Sequence, residues 1–189
     1  MIVPPLCERC GAPTAWPVSR CRDCAGRRLG FATARAAVEY DDAVRRLVGG
    51  WKERGLRRLA GVAAALVVDT VPRPDVEQLT FVPPDGDRSL KRGHHPAERL
   101  ARELARRWEL PVEPLLARVS GSKRQRGLTL VERRRNVRDA FRARSPARPT
   151  VCLVDDVLTS GATASAAAQA LRKAGARRVE VVCFARVVR

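Results

Sequence analysis

Apolar residues gather in short runs in the second half of the chain and fall into helical spacing nearer the start. Residues 151–154, Val-Cys-Leu-Val, form an uninterrupted apolar run of strand length, which suits a strand covered on both faces. Asp155 and Asp156 follow at its end. A turn of small residues, Thr159-Ser160-Gly161-Ala162-Thr163, then opens a helical pattern over 164–173, with Gly175 where a helix-ending glycine belongs. Residues 178–187 alternate into a last apolar strand. Upstream, 79–83 reads as a strand closed by Pro83-Pro84. Pro96 opens a helix over 97–108 whose stripe is Ala97, Leu100, Ala101, Leu104 and Trp108. Residues 112–119 carry one more strand pattern. From 32 to 68 the pattern is helical: Tyr40, Val44, Leu47, Val48 and Trp51, then Leu56, Leu59, Ala60, Ala63, Ala64 and Val67, predict two amphipathic helices separated at Gly55. Strands alternating with helices predict an α/β fold, a mainly parallel sheet flanked by helices.

The strand, loop and helix around Asp155 carry the most chemistry. Ligands of open α/β sheets bind beyond the carboxyl ends of the strands, where loop backbone and a helix N-terminus converge. A phosphate fits there. Gly161 lets the backbone approach closely, Thr159, Ser160 and Thr163 supply hydroxyl donors, and the first helical amides favour an anion. Ionised Asp155 and Asp156 are pure acceptors, so they suit the hydroxyls of a neighbouring sugar or a Mg²⁺ ion. The loop is neither G-x-G-x-x-G nor G-x-x-x-x-G-K-[ST]. Apolar strand, paired acids and Thr-Ser-Gly-x-Thr together resemble the phosphoribosyl-pyrophosphate (PRPP) motif of type I phosphoribosyltransferases.

Cys7-x-x-Cys10 and Cys21-x-x-Cys24 stand in a segment broken by Gly11, Pro13 and Pro17. Two such pairs let four thiolates converge on one Zn²⁺, replacing a core that so short a segment cannot build. With no secretory leader visible, metal binding is favoured over disulfides. Four cysteines leave no open coordination position, so the zinc is expected to be structural. Residues 1–28 are assigned to this zinc module and 29–189 to the α/β domain.

Composition changes the picture in one respect. The formal charge is +17, which fits a polyanionic partner, but 33 of the 37 basic residues are arginine in an alanine-rich chain, so genomic base composition accounts for part of it. Residues 118–144 hold ten basic against two acidic side chains. With Ser120-Gly121-Ser122 as a hinge, this segment is expected to be a mobile loop that closes over a phosphorylated ligand, Lys123, Arg124 and Arg126 neutralising its charge. The longest uncharged apolar stretch, 59–68, is far short of the ~20 residues of a membrane span, so no insertion is expected. Cys152 and Cys183 are read as small buried apolar residues. His94 and His95 could ligate a metal, but no third ligand lies nearby in sequence.

In order along the chain, the four cysteines, Trp51-Lys52 with Gly55, the Val-Pro and Arg92-Gly93 loop, Arg118 and Gln125, Glu132-Arg133-x-x-Asn136-Val137 with Phe141, and Asp155-Asp156-Val157-x-Thr159-Ser160-Gly161-Ala162-Thr163 are similar to the ComF family. That family is phosphoribosyltransferase-like and linked to DNA uptake and natural competence. The resemblance implies a type I phosphoribosyltransferase-like fold with an N-terminal zinc finger, PRPP as ligand with Mg²⁺, a cytoplasmic location and a role beside a DNA-translocating helicase. It also implies that a loop holding Arg88, Lys91, Arg92 and Gly93 contacts the pyrophosphate. Here the chain departs from the family, reading Arg92-Gly93-His94-His95-Pro96-Ala97 where an aromatic residue and Asn are usual. Two functions are compatible with these residues: a phosphoribosyltransferase, or a non-catalytic module that binds a nucleotide or single-stranded DNA.

Overall fold

The computed structural model describes residues 1–53, 58–84, 95–119 and 140–188. Its centre is β5, Thr150–Leu158, flanked by β6, Arg178–Arg186, and β2, Gln78–Phe81; β1, Thr33–Glu39, completes a parallel sheet of order β1-β6-β5-β2. The predicted apolar run is therefore a central strand. It extends further than the apolar pattern, to Leu158, because β6 runs alongside it: Asp155 lies opposite Cys183 and Leu158 opposite Arg186, so the backbone ladder carries the chain past both carboxylates.

Helices α1, Asp42–Glu53, α2, Leu59–Thr70, and α3, Pro96–Trp108, cover one face. Their core joins Val48, Trp51, Val67, Leu100, Leu104 and Trp108 to Leu79, Val154 and Phe184 of the sheet. Trp51 meets Phe184 edge-on, with ring centroids 6.4 Å apart. The other face carries α4, Ala162–Lys173, the antiparallel pair β3, Leu116–Arg118, and β4, Phe141–Ala143, and the cysteine segment.

Three expectations need correction. Residues 33–39 are a strand, not the start of a helix. Thr-Ala-Arg-Ala-Ala-Val-Glu has helical composition, but Ala34 and Ala36 fit under the cysteine segment and the strand pairs with β6 from Thr33 to Glu39, so tertiary pairing overrides propensity. Only Leu116–Arg118 of the 112–119 pattern is strand, although Val112 bridges Leu79. Its partner β4 lies inside the segment read as a basic loop.

Both sheet edges are covered. Ile2 donates its amide to the Ala37 carbonyl at 3.1 Å and Ala34 donates to the Arg9 carbonyl at 2.9 Å, so the N-terminal segment borders β1. On β2, Leu79 donates to Pro111 at 2.8 Å and Glu113 to Leu79 at 3.1 Å. Gly30, between the cysteines and β1, gives its amide to Ser165 Oγ of α4 at 2.9 Å, and a Cβ there would sit 2.4 Å from the Ser165 carbonyl oxygen. Gly30→Ala is therefore expected to cost about 2 kcal/mol through overpacking, read as a lowered denaturant midpoint with an unchanged slope.

Candidate functional site: a phosphate loop beside four cysteines

The loop after β5 is shaped by one backbone requirement. Gly161 has φ 71° and ψ 6°, the left-handed conformation that costs other residues, and it stands at the N-cap of α4. A Cβ would only touch Phe31 and Leu158 at 3.7 and 3.9 Å, so backbone conformation, not crowding, calls for glycine. Ser165 donates to the Gly161 carbonyl at 2.9 Å, starting the helix. Ser160 Oγ accepts from Ala162 at 3.4 Å, no side chain caps from position 161, and the first turn holds no acid. Such a helix end suits an anion. Thr159, Ser160 and Thr163 are exposed around it.

Asp155 and Asp156 are half-buried just upstream, inside β5. The Asp155 carboxylate accepts the Asp156 amide at 2.9 Å. Burial, followed by the charges of Asp155 and Asp156, pushes the Cys183 thiol well above its ordinary range; burial does the same to Cys152. Both cysteines are thus inert core residues. His95 serves the fold: its Nδ1 accepts the Glu98 amide at 3.3 Å as N-cap of α3, and its ring lies 5.8 Å from Phe81. Arg88, Lys91, Arg92 and Gly93, His94, and Lys123, Arg124 and Arg126 lie outside the described residues.

The sulfurs of Cys7, Cys10, Cys21 and Cys24 all lie within 4.8 Å of one another. Neighbouring pairs are 3.5 Å (Cys10 and Cys21), 3.6 Å (Cys7 and Cys24) and 3.8 Å (Cys21 and Cys24) apart. Metal–sulfur bonds of about 2.3 Å in a tetrahedron put the sulfurs roughly 3.8 Å apart, whereas a disulfide needs about 2.05 Å. The cluster therefore has the dimensions of a metal centre, and its cysteines are free thiols. Burial raises the Cys7 thiol, but backbone groups of Cys10, Cys21 and Arg9 and the Cys24 side chain outweigh it and bring it down to about 6. Burial and the Cys7 contact push Cys24 up to about 12. The surroundings of Cys7 thus favour its thiolate form, an electrostatic start for a cation.

The two sites adjoin. One cleft is lined both by the loop residues Thr159, Ser160 and Gly161 and by Cys10, Asp23, Cys24 and Arg27 of the cysteine segment, together with Leu29, Phe31, Leu158 and Arg186. These parts stand some 130 residues apart in the chain, and no pattern in the sequence joins them. Arg186 is not singled out by the sequence either; its trace there is one cation in an otherwise apolar run after Glu180.

The phosphoribosyl transferase domain family matches residues 75–188, more than half the chain. The chain is similar to Competence protein F of Haemophilus influenzae, 28% identical over 195 residues that cover 96% of this chain and 85% of that protein. It is similar to the DNA utilization protein YhgH of Salmonella typhi at 28% and of Escherichia coli K12 at 25%, each over 197 residues covering 97% of this chain and 85% of the relative. Among the described residues, no helix is long and apolar enough to cross a membrane. From strand order, loop, cysteine cluster and these near full-length matches together, the chain belongs to the phosphoribosyl transferase domain family and, within it, to the ComF family.

Proposed function

We propose that this protein binds PRPP with Mg²⁺ in the cytoplasm and acts in DNA uptake, its zinc module, residues 1–28, serving a phosphoribosyltransferase-like domain over 29–189. The observation that carries the reading is the glycine-led helix N-terminus, ringed by exposed hydroxyls and preceded by two half-buried acids, at the carboxyl end of a central parallel strand. The amides of 161–163 with the Thr159, Ser160 and Thr163 hydroxyls would hold the 5′-phosphate. Asp155 and Asp156 would accept the ribose hydroxyls and steady positive charge developing at the ribose carbon from which pyrophosphate departs. Bound Mg²⁺ would supply charge neutralisation for that pyrophosphate. Arg88, Lys91, Arg92 and Gly93, and Lys123, Arg124 and Arg126, are proposed as its protein contacts. The names of the relatives, a competence protein and DNA utilization proteins, support the biological setting.

The test is calorimetric titration with PRPP and Mg²⁺. Saturable binding with one ligand per chain is expected, and no heat at millimolar PRPP would end the reading. Pyrophosphate release across a panel of bases then separates a transferase from a binding protein.

One observation favours direct contact with single-stranded DNA, and a DNA-translocating helicase is proposed as the protein partner. Trp16 in the cysteine segment is 68% exposed, and Arg20, Arg22, Arg27 and Arg28 are nearby in sequence. Aromatic faces stack bases while guanidinium groups meet phosphates. Trp16→Ala is expected to weaken single-strand binding about 10-fold by fluorescence anisotropy at low salt. Equal affinity would remove Trp16 from the interface.

A further inference from the structure

Arg186 ends β6 and is only 5% exposed. A guanidinium so deeply placed normally meets a carboxylate, because an uncompensated buried charge is costly. Among the described residues none lies within ion-pair distance of Arg186; the observed ion pairs, such as Arg102 with Glu98 and Arg107 with Glu103, all lie elsewhere. Instead Arg186 turns to the cysteine segment. One terminal nitrogen donates to the Cys10 carbonyl, the other to Cys10 Sγ at 3.8 Å, and Nε has no partner among the described residues.

We propose that Arg186 is the counter-charge of the metal centre, its guanidinium facing the Cys10 thiolate and fastening the centre to the strand end beside the phosphate loop. The inference rests on the reading of the four cysteines as a metal site. Four thiolates around a divalent cation leave a net negative centre, which is what this buried cation lacks among its neighbours. Partners behind the ligands fix their orientation and tune how tightly metal is held. Because Leu158 is the register partner of Arg186 and immediately precedes Thr159, the strand position from which Arg186 reaches the cysteines lies beside the start of the loop.

The experiment compares wild type with Arg186→Met and Arg186→Lys, each loaded with zinc. Zinc loss to excess chromogenic chelator is followed in time, and thermal midpoints are recorded with zinc and after its removal. Arg186→Met is expected to release zinc about 10-fold faster, with Arg186→Lys in between. The order of stability is expected to invert: with zinc, wild type melts above Arg186→Met; without zinc, Arg186→Met melts at or above wild type, because it no longer buries an unpaired charge. Equal release rates, or Arg186→Met melting below wild type by the same margin in both forms, would overturn the inference and leave Arg186 a packing residue. A wild type that takes up no zinc would instead overturn the metal reading. Should Arg186→Met not fold, the release rate of Arg186→Lys decides: a rate equal to wild type overturns the specific role of the guanidinium fork.

Discussion

Cys7→Ser is expected to cost the whole protein most of its stability. Cys7 is fully buried, its sulfur accepts the Cys21 amide at 3.2 Å, and it belongs to the same core as Phe31, Leu153, Val181 and Leu171. Loss of one thiolate opens the tetrahedron. In small zinc domains the metal contributes about 10 kcal/mol or more, comparable with the entire net stability of a typical chain. Even half of that, about 5 kcal/mol, lowers the melting temperature of a chain this long by roughly 10 °C or more. Wild type should carry one zinc per chain by elemental analysis, and chelation should lower its melting temperature as the substitution does. A protein with no bound metal and an unchanged melting temperature would show that the cluster holds nothing.

The second large effect is expected in ligand affinity. Asp155→Asn with Asp156→Asn keeps the size of both side chains, and the new amide oxygen at 155 can still accept the Asp156 amide, so the strand end retains its shape. What disappears is charge. A hydrogen bond to a charged group contributes about 1.5–3 kcal/mol, so the pair is expected to lose roughly 3 kcal/mol or more of binding, at least about 100-fold in Kd for PRPP with Mg²⁺. Stability should stay within about 1 kcal/mol of wild type, since both side chains are only half-buried. Unchanged affinity for PRPP in the double variant would mean that the acids do not face the ribose.

The strand, loop and helix of the candidate site were legible in the sequence because each is specified locally. An apolar run, a left-handed glycine and a helical repeat are properties of neighbouring residues. The cysteine cluster was legible for the same reason, since ligand spacing encodes a tetrahedron. β1 was not. Its alanines favour a helix when read alone, and only pairing with β6, more than 140 residues later, makes them a strand. β4 was hidden in the same way: Phe141-Arg142-Ala143 shows no alternation long enough to read, and becomes a strand through Leu116–Arg118. The end of β5 was set too early because acids mark surface in a pattern, while the ladder to β6 does not depend on side-chain polarity. Arg186 shows the limit most plainly. One arginine among many is inconspicuous in a chain of charge +17, and its burial against Cys10 is a fact of three-dimensional assembly.

The N-terminal segment is also the border of the sheet. Its amide at Ile2 and its carbonyl at Arg9 satisfy groups on β1 that would otherwise be open to another molecule. Stripping the metal should therefore do more than soften one corner: it should bare a strand able to recruit its counterpart on a second molecule. On the proposed zinc reading, metal starvation would then show itself as concentration-dependent clumping, before any loss of the central β5 and β6 pairing.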